Sequence, residues 1–317
     1  MEIVRLNALS SDKMQPLLIE ERLYLHQKFQ WDTQYTFKLR IQLLKYGRMD
    51  GLAAVLNGKP VGYINWHHFE SELYLSGYYF SKQSNLEYEP DFLDYAARFI
   101  ARNYDSSLIE GQLLCVDDSL KSEIFERNSF ITVERDYMVL KLSSFKKKGE
   151  MKNLPKELIL RNLEKDGFDI IPDLSDSMHK SYKGTMDEWI TSSFSSFQGC
   201  RNFINNLFEF PVYGRLQENL SLIITDTDNQ IAAMILVCKS SNSTAHIVQV
   251  SVTPEYQSKG IGKFILNECI SKLKDAGYKS AVLMVTKENF RACNLYKKVG
   301  FESISSFYSI NYNKLKR

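Results

Sequence analysis

The same order of predicted strands and helices occurs twice in this chain of 317 residues. Each half contains a strand, a helical stretch, a hairpin, a strand, a helix, a strand, a helix and a final strand. Sliding the sequence by 171 residues lays Phe130 on Phe301, one of only two identities that we count between 59–130 and 230–301. The repeat is therefore one of element order. It predicts two tandem α/β domains, each with a central twisted mixed β-sheet flanked by helices.

A polar segment between the two halves is the predicted linker. The run SSFKKKGEMKNLPKE (143–157) contains a glycine, a proline and several lysines, and it offers little apolar surface to bury. The predicted domains are therefore 1–145 and 157–317, joined by a linker at 146–156. An unrelated α/β accessory domain at 1–143 is the alternative, because the two halves share almost no sequence.

Charge and hydropathy narrow the function classes. The net charge of +2 gives no broad basic surface, so we do not expect nucleic acid or an anionic membrane as the main partner. The sequence has no apolar run close to the roughly 18 residues that cross a bilayer, and residues 1–30 lack the pattern of a signal peptide. These features predict a cytoplasmic protein.

The usage of cysteine and histidine predicts neither a disulfide framework nor a metal site. His67 and His68 are adjacent in a predicted strand and would point to opposite faces, so they cannot readily ligate one metal together. The cysteines are odd in number and form no CxxC pair. They are Cys115, Cys200, Cys238, Cys269 and Cys293.

A loop with two glycines joins a predicted strand to a predicted helix in the second half. The strand AHIVQVSV ends at Val252, and TPEYQSKGIGKFIL leads into a helix that begins near Gly260 and ends before Gly277. Free N–H groups at the start of a helix bind anions, and the glycines would let phosphate oxygens approach the backbone. The flanking Lys259 and Lys263 would add positive charge. The pattern is neither the dinucleotide-binding G-x-G-x-x-G nor a P-loop.

A second motif follows about thirty residues later. The stretch NFRACNLYKKVGF contains N-x-x-A-x-x-L-Y-x-x-x-G-F, from Asn289 to Phe301. Together with the upstream V-x-P-x-x-Q-x-x-G-x-G, it resembles the GCN5-related N-acetyltransferase (GNAT) superfamily over about Asn219–Phe301. The resemblance implies a GNAT fold for 157–317 and acetyl-CoA as co-substrate, without a metal.

The resemblance also implies which residues bind acetyl-CoA. The backbone of the strand end would bind the acetyl and pantetheine part, where the central strands part from each other. The N–H groups of the glycine loop would hold the pyrophosphate. Asn289, which is also suited to cap the next helix, would contact the pantetheine. These residues are Val250, Ser251, Val252, Gln257, Ser258, Lys259, Gly260, Ile261, Gly262, Lys263, Asn289 and Ala292.

Two side chains are candidates for proton transfer. The resemblance makes Tyr296 the general acid, and a tyrosine hydroxyl is protonated at pH 7 and can donate to the departing thiolate. The alternative is that Tyr296 simply belongs to the inner face of an amphipathic helix. His246 is a candidate general base. In a regular strand it would share a face with Val248, Val250 and Val252, so the alternative is a core histidine.

The acceptor amine is expected to bind within 173–215. This segment is predicted to be helical to about residue 208, and its Asp187 and Glu188 are candidate anchors for an amine. It is rich in aromatic residues, most of which are expected to pack between helices. They include Trp189, Phe194, Phe197, Phe203, Phe208, Phe210 and Tyr213.

The corresponding positions of the first half lack the features of a cofactor site. Residues 86–92 read LEYEPDF, whose carboxylates would repel a pyrophosphate and whose Pro90 removes an N–H donor. Phe125 stands at the position of Tyr296 and has no proton to give, and Asp118 stands at that of Asn289. The first half is therefore predicted to be a degenerate GNAT-like domain.

The sequence thus predicts direct transfer of an acetyl group from the CoA thioester to a primary amine of a small molecule or peptide. A non-catalytic acyl-CoA-binding or scaffold protein is the alternative. A monomer or homodimer is expected.

Overall fold

A computed structural model describes residues 1–31, 33–69, 72–84, 86–104, 108–146, 154–164, 166–210 and 213–313. Most of the predicted linker, namely 147–153, lies outside these residues. The chain divides into two compact units, which are Met1–Arg135 together with Ser305–Arg317, and Asp136–Ile304. Across the described ranges no helix is both long enough and apolar enough to span a bilayer.

The first part of the chain alternates strands and helices as predicted. Its elements are β1 (Glu2–Arg5), α1 (Ser11–Phe29), α2 (Gln34–Lys45), β2 (Asp50–Leu56), β3 (Lys59–Phe69), β4 (Glu72–Phe80), α3 (Glu89–Asn103), β5 (Leu108–Leu113), α4 (Ser119–Arg127) and β6 (Ile131–Lys141). The turn between β2 and β3 has positive φ at both Asn57 and Gly58, which is the backbone geometry that this dipeptide favours in hairpins.

The second part repeats this order with a more divided helical segment. Its elements are β7 (Ile159–Asn162), α5 (Ile171–Tyr182), α6 (Met186–Ile190), α7 (Ser192–Ser195), α8 (Phe197–Glu209), β8 (Arg215–Leu216), β9 (Leu222–Thr225), β10 (Ile231–Lys239), β11 (Thr244–Val252), α9 (Ile261–Asp275), β12 (Ser280–Thr286), α10 (Phe290–Val299) and β13 (Glu302–Asn313). The segment predicted to be helical, about 173–208, is mostly helical but is divided into four helices, α5 to α8. Gly184 has a φ of 79°, which ends the first helix, and the Ser196 side chain accepts from Gly199 N–H and starts α8.

Each unit has a mixed sheet. In the first unit the strand order is β1-β2-β3-β4-β5, with β4 and β5 parallel and the other neighbours antiparallel. In the second unit the order is β6-β12-β11-β10-β9-β7, with β11 and β12 parallel. One apolar cluster packs α9 and α10 on one face of this second sheet, and another packs α5 and α8 on the opposite face. The predicted mixed α/β fold is confirmed.

The last strand of each half does not remain with its own half. We predicted that 302–312 completes the second sheet, but Tyr308–Asn313 of β13 pairs antiparallel with β5 in the first unit. Conversely, Asp136–Lys141 of β6 belongs to the second unit, where β6 lies beside β12. The predicted bounds, 1–145 and 157–317, therefore follow the chain order, whereas the compact units do not. Backbone hydrogen bonds hold strands together regardless of side-chain identity, so the sequence pattern locates a strand without naming its partner.

Candidate acetyl-CoA site

Strands β11 and β12 part from each other at their carboxyl ends. Their parallel ladder stops at the pair His246–Val282, although β11 continues to Val252 and β12 to Thr286. On the other side, the end of β11 stays paired with β10 up to Ala233–Val252. The backbone groups of Val250–Val252 that face β12 therefore line a gap in the sheet.

A β-bulge changes the faces of β11. Leu236 of β10 lies opposite Gln249, but the next residue, Val237, lies opposite Ile247, so Val248 is an extra residue. His246 and the bulge residue Val248 lie on the face of α5 and α8, whereas Val250 and Val252, which follow the bulge, pack against the α9 cluster. The prediction that His246 shares a face with Val250 and Val252 is therefore wrong.

Burial makes His246 a weak base. The side chain is only 5% exposed, and its ring lies 5.9 Å from that of Tyr213, close to edge-on. Burial lowers the pKa of His246 to about 4, because desolvation disfavours the imidazolium form. The ring is therefore neutral at pH 7, but it would hold an abstracted proton weakly. The role of His246 as the general base stays a prediction, and its low pKa makes it a poor proton acceptor.

Polar side chains follow the bulge on the α5 face. Tyr182 Oη donates to Gln249 Oε1 at 3.2 Å, and Gln249 Nε2 donates to Ser251 Oγ at 2.5 Å. Both Gln249 and Ser251 are buried. Sequence reasoning missed Gln249, because a regular strand would have placed it on the other face. The bulge turns this line of hydrogen bonds toward the predicted acceptor segment.

The two glycines of the loop have different structural roles. Gly260 has a φ of 80° and caps the N-terminus of α9, a left-handed conformation that side chains with a β-carbon disfavour. At Gly262, an added β-carbon would lie 3.4 Å from Val252 Cγ2 and 3.5 Å from Leu295 Cδ2, which is ordinary contact. The sequence predicts that both glycines admit phosphate oxygens. The structure shows that Gly260 also has the left-handed backbone conformation at the start of α9.

The start of α9 is suited to an anion. The first amides of a helix have no carbonyl partner within it, and here these are the N–H groups of Ile261, Gly262 and Lys263. Lys259 Nζ lies 5.3 Å from the centre of the Tyr256 ring. Ser258 also has a positive φ, of 62°, so the backbone turns sharply just before the helix. The helix start and the turn before it thus contain Ser258, Lys259, Ile261, Gly262 and Lys263, which are among the residues predicted to bind the pyrophosphate.

Gln257 connects the loop to both neighbouring elements. Its Nε2 donates to the carbonyl of Val252 at 2.9 Å, and its Oε1 accepts from Arg291 Nη1 at 2.5 Å. Arg291 Nη2 also lies 3.4 Å from Ser258 Oγ. Arg291 is exposed and is not among the predicted site residues, because its only signal in the sequence is a positive charge close to Asn289.

Helix α10 places the remaining predicted residues. Asn289 caps the helix, since its Oδ1 accepts from Ala292 N–H at 3.1 Å, as predicted from the sequence. Ala292 and Tyr296 pack into the α9 cluster, and the Tyr296 ring meets the edge of Phe301 at 6.0 Å. Burial raises the pKa of the Cys293 thiol, which keeps this side chain protonated at neutral pH.

Asp187 is not an exposed anchor. It is 5% exposed and accepts from Thr286 Oγ1 at 2.7 Å and from Asn289 Nδ2 at 3.3 Å. Glu188 accepts from the backbone N–H of Gly184 at 2.7 Å. Both candidate amine anchors are thus engaged within the protein, and Asp187 joins the acceptor segment to the ends of β12 and α10.

The aromatic residues of the acceptor segment fall into two groups. The Tyr182 and Phe194 rings stack at 4.2 Å, and Phe203 joins Phe194 to Tyr213 at centroid distances of 5.9 and 6.2 Å. This group packs between helices, as expected. Trp189 and Phe210 instead remain 58% and 54% exposed, which leaves apolar surface open on the segment.

The first unit has the same helix-capping geometry as the second unit, but it has different side chains at the positions of the predicted cofactor site. Asp118 caps α4 by accepting from Lys121 N–H, as Asn289 caps α10. Phe130 N–H donates to Phe125 O, and Phe301 N–H likewise donates to Tyr296 O. The buried Glu89 at the start of α3 accepts from Tyr78 Oη at 2.7 Å, and its carboxylate lies 3.5 Å from Lys121 Nζ. Internal ionic groups therefore lie where the second unit has its glycine loop.

The part of the chain that the structure describes contains no group of three or more His, Cys, Asp or Glu side chains arranged to hold a metal ion. The described cysteines are all buried and free.

Comparison with known sequences finds similarity within the second half. The model of the acetyltransferase (GNAT) family matches residues 184–301. The [ribosomal protein bS18]-alanine N-acetyltransferase of Haemophilus influenzae is 34% identical over 86 residues, which are 27% of this chain and 56% of that protein. The chain thus spans about half the length of this curated relative.

Comparison with solved structures extends the likeness of fold to almost the whole chain. The GCN5-related N-acetyltransferase from Sphaerobacter thermophilus has a TM-score of 0.66 at 12% identity, covering 98% of this chain and 95% of that one. A tandem GNAT protein from the clavulanic acid biosynthesis pathway has a TM-score of 0.64 at 11% identity, covering 98% and 97%. Residues 184–301 therefore match the sequence pattern of the GNAT family, and the fold of almost the whole chain is similar to that of a tandem GNAT protein.

Proposed function

We propose that the chain is an acetyl-CoA-dependent N-acetyltransferase with one active site, in the second unit. The observation that carries the proposal is the gap between the ends of β11 and β12, directly beside the helix start capped by Gly260. The gap offers unpaired strand backbone to an extended amide-containing arm, and the helix start offers N–H groups to phosphates. The residues present therefore fit acetyl-CoA.

Each part of the proposed site would have its own role in acetyl transfer. Acetyl-CoA supplies the acetyl thioester. Val250–Val252 hold the acyl end by backbone hydrogen bonds, the amides of 257–263 bind the pyrophosphate, and Asn289 contacts the pantetheine. As the acceptor nitrogen bonds to the acetyl carbon and the carbon–sulfur bond breaks, the Tyr296 hydroxyl gives its proton to the sulfur. The proton that the amine loses passes to solvent or to a base, and the tyrosinate takes a proton from solvent, which restores the tyrosine.

The acceptor is proposed to be a primary amine of a peptide or small molecule. The name of the Haemophilus relative gives an alanine of a ribosomal protein as its acceptor, which supports a peptide amine as the acceptor here. The exposed Trp189 and Phe210 would suit an acceptor with an apolar side chain next to its amine.

Titration calorimetry with acetyl-CoA, combined with an assay of thiol release, tests the proposal. We expect one site per chain in the wild type, and Tyr296→Phe should keep the affinity but lose most of the turnover. Equal turnover in Tyr296→Phe would remove this residue from the acid role. Binding without turnover of any amine would favour a non-catalytic acyl-CoA-binding protein, and two sites per chain would refute a silent first unit.

A further inference from the structure

Asp187 is an unusual carboxylate for its place in the fold. It lies on α6, a short helix of the acceptor segment, where its neighbours Met186 and Trp189 are exposed while Asp187 itself is buried. Burying a carboxylate is unfavourable unless hydrogen bonds compensate for the lost water. Both of its observed side-chain donors, Thr286 Oγ1 and Asn289 Nδ2, belong to the wall of the proposed cofactor site.

The hydrogen bond from Asn289 fixes the orientation of that amide. Asn289 Oδ1 must face Ala292 N–H to cap α10, so Nδ2 must point the other way, toward Asp187 Oδ2. An amide group has two N–H donors and two acceptor lone pairs. One donor and one lone pair of Asn289 therefore remain for a ligand, in directions that Asp187 and Ala292 set together.

We propose that Asp187 is a positioning residue for acetyl-CoA, acting through Asn289. Its carboxylate holds the Asn289 amide in the orientation that meets the pantetheine, and it ties α6 to the end of β12 through Thr286. The acceptor segment and the cofactor wall are thereby linked through one buried side chain. The inference rests on the proposed function, in which Asn289 contacts the pantetheine.

Two other roles for Asp187 give different results. A carboxylate that only stabilises the fold would affect unfolding and leave the affinity for acetyl-CoA unchanged. A carboxylate that receives the ammonium group of the acceptor would change the KM for the amine and leave the affinity for acetyl-CoA unchanged.

The test measures the Kd of acetyl-CoA by calorimetry for Asp187→Ala and Asp187→Asn. We expect about a tenfold weaker Kd in Asp187→Ala. Asp187→Asn should recover most of the affinity, because its carbonyl oxygen can still accept from Asn289 while the Thr286 hydroxyl turns to accept from the new amide. Thr286→Val is the matched control. It removes the other hydrogen bond of Asp187, so it should lower the melting temperature but keep the Kd within twofold.

A double-mutant cycle then asks whether Asp187 acts through Asn289. In the Asn289→Ala background, Asp187→Ala should weaken the Kd by less than twofold. Additive losses in the cycle, or an unchanged Kd in Asp187→Ala with binding intact in the wild type, would overturn the inference alone. Absence of acetyl-CoA binding in the wild type would instead refute the proposed function, and this inference with it.

Discussion

The side-chain oxygen of Gln257 accepts a hydrogen bond of 2.5 Å from Nη1 of Arg291. The other end of the same amide donates to Val252 O, so Gln257 joins the end of β11 to the start of α10. The glutamine of the V-x-P-x-x-Q-x-x-G-x-G pattern thus has a structural role before any ligand binds. It also brings an exposed guanidinium to the edge of the glycine loop.

Arg291→Met should weaken acetyl-CoA binding. The guanidinium would lie close to the phosphates, and a partly exposed charge of this kind contributes about 1 kcal/mol, or about fivefold in Kd. Calorimetry at low and high salt measures the effect, which should shrink as salt increases. Lys298→Met on the exposed side of the same helix is the control and should leave the Kd unchanged. Equal losses in both variants would show a general charge effect.

Gly260→Ala and Gly262→Ala should differ in stability. Residue 260 has a φ of 80°, and forcing alanine into this conformation costs about 1–2 kcal/mol. At position 262, in contrast, a methyl group meets Val252 and Leu295 at normal contact distance, so the change should stay within about 0.5 kcal/mol. Urea unfolding measures both variants. A larger loss for Gly262→Ala would contradict the roles that we give to the two glycines.

The stability of the protein should depend on His246 below neutral pH. Its pKa of about 4 in the folded protein lies below the ordinary 6.5, so the unfolded chain binds more protons between these values. The free energy of unfolding should therefore decrease as the pH falls from 6.5 toward 4, by on the order of 3 kcal/mol from this group.

In His246→Gln the free energy of unfolding should decrease less as the pH falls, whatever the effect of the substitution on stability at pH 7.5. Urea unfolding at pH 7.5, 5.5 and 4.5 gives the slope. His26→Gln, at an exposed position of α1, is the control and should keep the wild-type slope. An unchanged slope in His246→Gln would mean that the buried imidazole is not a source of acid sensitivity.

Lys121→Met should destabilise the first unit without affecting cofactor binding. Lys121 Nζ lies 2.8 Å from Asp117 and 3.5 Å from Glu89, in largely buried surroundings. Burial alone would lower the pKa of Lys121, but the hydrogen bond and charge of Asp117 raise it above its usual value. Removing the cation leaves Glu89 without this ion pair, whereas Asp117 keeps its ion pair with Lys28 at 2.7 Å. The expected cost is about 3 kcal/mol.

Unfolding experiments and calorimetry separate the two effects. Arg98→Met, which breaks the exposed ion pair with Asp94, should cost less than about 1 kcal/mol. The Kd of acetyl-CoA should stay within twofold in both variants. A loss of acetyl-CoA binding in Lys121→Met would contradict the assignment of the only site to the second unit.

The sequence predicted the local backbone features of the candidate site. Helix starts, left-handed turns and capping residues have strong residue preferences, so Gly260 and Asn289 could be placed before the structure was known. The offset of 171 residues also predicted that Asp118 and Asn289 occupy equivalent positions, and both cap their helices.

Contacts between distant parts of the chain could not be predicted. The bulge at Val248 depends on how β11 meets β10, and alternation within β11 gave no sign of it. Asp187 looked like an accessible carboxylate, because its partners Thr286 and Asn289 lie about a hundred residues away. The role of Arg291 depends in the same way on the fold that brings it to Gln257.

The pairing of β13 with β5 sets an order of events during synthesis. The first unit includes Tyr308–Asn313 in its sheet, so it stays incomplete until these residues have left the ribosome. Domains generally fold in the order in which they emerge, and an incomplete sheet exposes an unpaired strand edge in the meantime. In this chain the unit that is translated first is the one completed last, and a chain cut before residue 305 would leave β5 without that partner.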